Sequence, residues 1–190
     1  MIIKNKDYEV VETLGSNTFK VSLKGKYYVA KTFDEQNYLS FIKRYTELKI
    51  SGITIPKLLK KDKKQQSVLL EFIPYENLAV DLLIKENPTE QYLREIFRIA
   101  WYAKNSRISI DYKPHNFAMY KDKLYYLSSA MEFGYDKTKS FELEGIRYWF
   151  FTKEFVNYLT AMGIEYDKTR LKDEYKTNKE IVLAVCRYQR

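Results

Sequence analysis

Asp111, Lys113 and Asn116 stand in one short run, Ser109-Ile110-Asp111-Tyr112-Lys113-Pro114-His115-Asn116-Phe117. A carboxylate, a cation and a carboxamide at these offsets suit phosphoryl transfer. The carboxylate orients or deprotonates an attacking hydroxyl, the lysine offsets charge on the transferred group, and the asparagine ligates a metal ion. His115, the one histidine of the chain, lies beside a carboxylate suited to act as base, so it is read as a packed side chain and not as the general base.

This chemistry needs a folded cleft. A chain of 190 residues suffices for one domain, or for two small lobes sharing a core. Hydrophobic residues make up 45% and aromatics 16%, with 18 Tyr, which excludes a disordered chain. The run Tyr148-Trp149-Phe150-Phe151, with Phe155, is read as core. The net charge is +8, from 33 Lys and Arg against 25 Asp and Glu. The lysines are dispersed among acids along the whole sequence, so most are read as solvated surface. No nucleic-acid partner is expected, and nucleotide phosphate is the expected anion. Cys186 is the only cysteine, which excludes an intrachain disulfide and a cysteine-based zinc site and suits a reducing cytoplasm. No stretch approaches the roughly 18 uninterrupted apolar residues of a membrane span, and the N-terminus lacks the apolar run of a signal peptide. The expectation is a soluble chain with no membrane partner.

The elements that must position the run can be read around it. Tyr8 to Thr13, Phe19 to Leu23 and Tyr27 to Thr32 are β-rich segments, the last two joined by the tight turn Lys24-Gly25-Lys26. Asp34 is suited to cap a helix to about Ile50, with Tyr38, Ile42 and Tyr45 as its apolar stripe and Gly52 as its stop. Lys57 to Lys60 and Ser67 to Phe72 read as two more strands across a charged turn. Asn87-Pro88-Thr89-Glu90 reads as a helix start with Asn87 as cap. That helix runs to about Lys104 on a stripe of Leu93, Ile96, Phe97, Ala100 and Ala103. Phe117 to Tyr120 and Leu124 to Leu127 form a hairpin, and helices are expected near Glu142 to Met162 and Lys172 to Tyr188.

Asp111, Lys113, Pro114 and Asn116 match the catalytic loop of the protein kinase-like family, H-R-D-x-K-P-x-N, with Ser109 and Ile110 in place of His and Arg. The chain resembles a small, degenerate, prokaryotic-type serine/threonine kinase-like protein. Leu14-Gly15-Ser16-Asn17 stands where the family places its glycine-rich loop, and Tyr28-Val29-Ala30-Lys31 resembles the strand whose lysine holds ATP phosphates, without the residue that usually separates Ala from Lys. The resemblance implies an α+β, minimal two-lobed fold: a five-stranded antiparallel small lobe over residues 1–74 and a mainly helical large lobe over 75–190. It implies ATP, held by Gly15, Ser16, Asn17 and Lys31, with Glu47 pairing Lys31 and with Glu71 and Ile73 in the hinge beside the adenine. It implies Mg²⁺ or Mn²⁺ on Asn116, and a protein or small-molecule hydroxyl as acceptor. The family's second metal-binding Asp is replaced by Ser128 or Ser129, and Glu132 of Glu132-Phe133-Gly134 is the substitute ligand. The alternative is a pseudokinase, a nucleotide- or partner-binding module without chemistry.

Overall fold

The computed structural model describes residues 1–74, 77–128, 135–136, 140–171 and 173–188. The chain is α+β. A five-stranded antiparallel sheet is formed by β3 (Glu9–Gly15), β4 (Thr18–Leu23), β5 (Lys26–Thr32), β6 (Leu58–Asp62) and β7 (Ser67–Glu71), in the order β3-β4-β5-β7-β6. A short hairpin, β1 (Ile2–Ile3) and β2 (Lys6–Asp7), precedes it and was not legible in the sequence. The helix α1 (Glu35–Ile50) is inserted between β5 and β6. Lys4 and Asn5, and likewise Lys24 and Gly25, take positive φ at the tips of two hairpins. Two consecutive left-handed residues give a turn whose twist matches that of the strands it joins.

β7 is buried along Ser67, Val68, Leu69 and Leu70 because both of its faces are covered. Leu69 packs with Ile3, Tyr8, Val21 and Ala30, whereas Val68 and Leu70 pack with Tyr38 and Phe41 of α1. Asp62, 6% exposed, anchors the N-terminal hairpin by accepting from the Lys4 amide at 2.7 Å and from the Lys64 and Gln65 amides at 3.2 and 3.3 Å.

The stripe expected on α1 is rotated. Its buried residues are Tyr38, Phe41, Arg44 and Leu48, while Ile42 and Tyr45 are partly buried. The Tyr45 hydroxyl explains the rotation. It donates to the Pro56 carbonyl at 3.0 Å and accepts from the Leu58 amide at 2.8 Å, which keeps its polar end at the margin of the core.

The later residues form α2 (Ala79–Lys85), α3 (Glu90–Asn105), β8 (Phe117–Tyr120), β9 (Lys123–Tyr126), α4 (Lys153–Ala161) and α5 (Glu174–Tyr188). Their shared core gathers Ile96, Ile99, Phe117, Tyr126, Trp149 and Phe155, all at most 1% exposed. The short helix α2 was not expected, since its cap position, Leu78, offers no side-chain hydrogen bond. Asn87 does not cap α3. Its side-chain oxygen accepts from Arg170, and Thr89 caps instead through the Tyr92 amide. The single helix expected from Glu142 to Met162 is broken. A 3-10 turn covers Gly145–Trp149, and extended backbone at Phe150 and Thr152 follows. Thr152 causes the break: its hydroxyl accepts from the Phe155 amide at 3.1 Å, capping α4, and donates to the Arg147 carbonyl at 2.7 Å.

Candidate functional site

The segment between α3 and β8 alternates with period two. Ile110, Tyr112, Pro114 and Asn116 are buried, while Asp111, Lys113 and His115 are half-buried. Each chemistry-bearing side chain is therefore flanked by residues fixed in the core. The Trp149 indole N–H donates to the buried Tyr112 carbonyl at 2.8 Å. The Asp111 amide donates to the Tyr126 hydroxyl at 3.4 Å, and the Leu127 amide donates to the Asn116 carbonyl at 2.8 Å. Gly145 lies against the Tyr112 ring so closely that a Cβ there would stand 2.8 Å from the Tyr112 Cβ.

Within this frame the Lys113 amide donates to Asp111 Oδ1 at 3.2 Å. One carboxylate oxygen thus holds the turn. The Asn116 Nδ2 donates to the Asp111 carbonyl at 3.4 Å, so the amide is oriented with Oδ1 as its remaining oxygen. Asp111 and Lys113 open on a cavity of about 550 Å³ that also carries Tyr112, Asp136, Glu142 and Glu144. His115 turns elsewhere. Its Nδ1 lies 2.7 Å from the Tyr158 hydroxyl, and the two rings stack with centroids 5.7 Å apart. Burial pulls the His115 pKa below its ordinary value, opposed by Asp111, and burial pushes the Tyr158 hydroxyl up to about 12.

Lys31, in β5, pairs with Thr18 on one side and Val68 on the other. Its Nζ lies 6.0 Å from the centre of the Phe41 ring on α1. Burial lowers its pKa from the ordinary lysine value, because a desolvated ammonium is disfavoured relative to the neutral amine. Lys31 lines a cavity of about 270 Å³ with Asn17, Thr18, Asp34, Asn37 and Phe41. Asp34 accepts from the Asn37 amide at 2.8 Å and so caps α1 at the rim of this cavity.

The turn above Lys31 differs from the expected phosphate loop. Gly15 pairs with Thr18, leaving Ser16 and Asn17 as its tip. Neither Gly15 nor Asn17 takes positive φ. A Cβ at Gly15 would meet only the Thr18 Cβ, at 4.0 Å, and glycine is not required there. The Asn17 carbonyl is held by the Thr32 amide at 3.1 Å.

The other candidates are more scattered. Glu47 is half-buried, six residues beyond the Phe41 that meets Lys31, and no ion pair joins it to Lys31 among the described residues. The Glu71 amide is engaged by the Lys57 carbonyl at 2.9 Å. Its side chain accepts from the Lys57 amide at 3.3 Å, and Ile73 is buried. Ser128 is half-buried just after β9, while Ser129 and Glu132 lie outside the described residues. The cavity of Lys31 and Asn17 and the cavity of Asp111 and Lys113 share no lining residue.

For a divalent metal the oriented Asn116 Oδ1 is a hard oxygen donor of the right kind. No group of three His, Cys, Asp or Glu residues is placed to hold a metal ion among the described residues. No helix among them is long and apolar enough to cross a membrane. No protein-family model matches the chain, and no curated protein does.

The sequence reading missed Gly145, Trp149 and Arg44 as supports of the run. The signal available for the first two was the even-numbered set Ile110, Tyr112, Pro114 and Asn116, an alternation that marks one face needing a cover.

Gly145→Ala should destabilise the fold by about 1–3 kcal/mol through overpacking against Tyr112. Urea unfolding checks this, and an unchanged midpoint would mean that Tyr112 moves aside. The single histidine allows a clean titration. Since its folded pKa lies below the ordinary value, its NMR midpoint should fall below about 6.5. On acidification the unfolded chain takes up this proton first. The His115 contribution to stability should therefore be complete above the unfolded pKa and lost as pH falls from there to the folded pKa. The loss should be absent in His115→Gln.

Proposed function

We propose that the chain is an ATP-dependent phosphotransferase with a minimal two-lobed, protein kinase-like fold, residues 1–74 forming the small lobe and 75–190 the large one. The observation that carries this is the built turn at Asp111. One carboxylate oxygen is held by the Lys113 amide and the neighbouring residues are buried, while Asp111 and Lys113 face one 550 Å³ cavity. Half-buried Lys31, which lines a cavity with Asn17, supports the same reading.

In the proposed reaction an acceptor hydroxyl enters the cavity lined by Asp111 and Lys113. The acceptor oxygen attacks the terminal phosphorus of ATP. A new O–P bond forms as the bond from that phosphorus to the bridging oxygen breaks, ADP leaves, and the hydroxyl proton passes to Asp111 Oδ2. Lys113 balances charge on the transferred group, and Lys31 holds the phosphates of the nucleotide. A bound Mg²⁺ or Mn²⁺ would neutralise phosphate charge, and Asn116 Oδ1 is the residue atom that would hold it. Gly15, Ser16 and Asn17 cover the phosphates in this proposal, and Glu71 and Ile73 border the adenine.

A second reading, the pseudokinase, is favoured by Ser128, whose hydroxyl cannot supply the charge of a second metal-binding carboxylate. Both readings are separated by incubating the protein with Mg²⁺ or Mn²⁺, ATP labelled at the terminal phosphate, and a panel of protein and small-molecule hydroxyls. As an enzyme it should transfer label, and Asp111→Asn should slow transfer by about 10²–10⁴-fold. Lys31→Met should abolish nucleotide-dependent thermal stabilisation. Stabilisation without transfer would leave the pseudokinase, and neither would remove ATP from the account.

A further inference from the structure

Arg44 is a cation that the proposed chemistry does not use. It is 7% exposed, on the buried face of α1. Its Nη2 donates to the Ser109 carbonyl, 65 residues away in sequence, and its Nε is buried with no hydrogen-bond partner. No carboxylate pairs with it among the described residues. A buried guanidinium in this state lowers stability, and an apolar side chain of similar volume in its place is commonly neutral or stabilising.

The location gives the residue a use. Phe41, whose ring meets Lys31, and Arg44 are three residues apart and so lie on one ridge of α1, about 4.5 Å apart along its axis. One end of this ridge touches the strand that carries Lys31, and the other holds the backbone two residues before Asp111. Together they make α1 a spacer between the two candidate groups, which line separate cavities.

We propose that Arg44 is a positioning residue that sets the Asp111 turn relative to Lys31 by holding the Ser109 carbonyl. This rests on the phosphotransferase reading for its catalytic consequence but not for its structural one. Met in place of Arg44 keeps the packing and removes the bond, whereas Lys keeps a donor and the charge.

The test compares wild type, Arg44→Met and Arg44→Lys in thermal unfolding, nucleotide affinity, turnover and amide hydrogen exchange. Arg44→Met should be at least as stable as wild type and should bind nucleotide within about threefold, while kcat falls by tenfold or more, since misplacement by about 1 Å can cost 10²-fold. Arg44→Lys should recover part of kcat. The amides of Ile110 to Lys113 should exchange faster in Arg44→Met than in wild type, with those of β4 and β5 unchanged. An unchanged kcat, or a loss of kcat matched by an equal loss of nucleotide affinity, would overturn the proposal. If wild type shows no transfer, the phosphotransferase reading falls and exchange alone decides: equal protection of Ile110 to Lys113 in wild type and Arg44→Met would overturn the positioning role.

Discussion

The Asp111 segment can present side chains only because its other face is held. Where it packs into the core, its backbone polar groups need protein partners. The Tyr112 carbonyl finds the Trp149 indole, the Asn116 carbonyl finds the Leu127 amide, and the Asp111 carbonyl finds the Asn116 amide. With the buried side chains of Ile110, Tyr112 and Pro114, these bonds fix a short segment that ends in a 3-10 turn at Pro114–Asn116 and leaves Asp111, Lys113 and His115 half-buried. Gly145 closes the arrangement, because only a residue without Cβ lets that turn lie flat on Tyr112. The chemistry attributed to Asp111 therefore depends on packing contributed about 30 residues later in the chain.

Where local physics dominates, the sequence was legible. The strands of the five-stranded sheet, the hairpin Phe117–Tyr120 with Lys123–Tyr126, and α1 with its Asp34 cap all carry strong short-range signals. Lys121 and Asp122 take the positive φ that the second hairpin turn requires. The errors arise where one residue has two possible partners. Asn87 and Thr89 can each cap a helix, and the distant Arg170 takes Asn87. Thr152 reads as tolerable in a helix interior, yet its hydroxyl starts a new helix and ends the turn before it. The hydrophobic run through Trp149 and Phe155 carries no mark of that break, since both sides of it are buried.

The candidate site divides in the same way. Asp111, Lys113 and Asn116 are adjacent in sequence, and their mutual hydrogen bonds follow from that adjacency. Lys31 and Asn17 are brought together by the register of β4 on β5, which pairs Thr18 with Lys31. What the sequence left hidden is the relation between these two groups. That relation runs through α1, and the residue concerned, Arg44, looks like an ordinary solvated arginine until the rotation of the helix is known.

Four charged groups that are buried or half-buried in this fold differ in their partners. Asp62 accepts from three backbone amides and ties down a hairpin. Arg170 donates to the carbonyls of Leu83 and Ile84 at the end of α2 and stacks over Phe151 at 4.7 Å. Both have several protein partners, as a structural role calls for. Arg44 retains a buried nitrogen with no partner, and burial holds Lys31 below its ordinary pKa. Both adjoin the same helix. Stability alone would favour an apolar residue at position 44, since removing an incompletely paired buried charge relieves a desolvation penalty. An anionic substrate would offset that penalty at Lys31, and a fixed Ser109 carbonyl is the return that the fold obtains at Arg44.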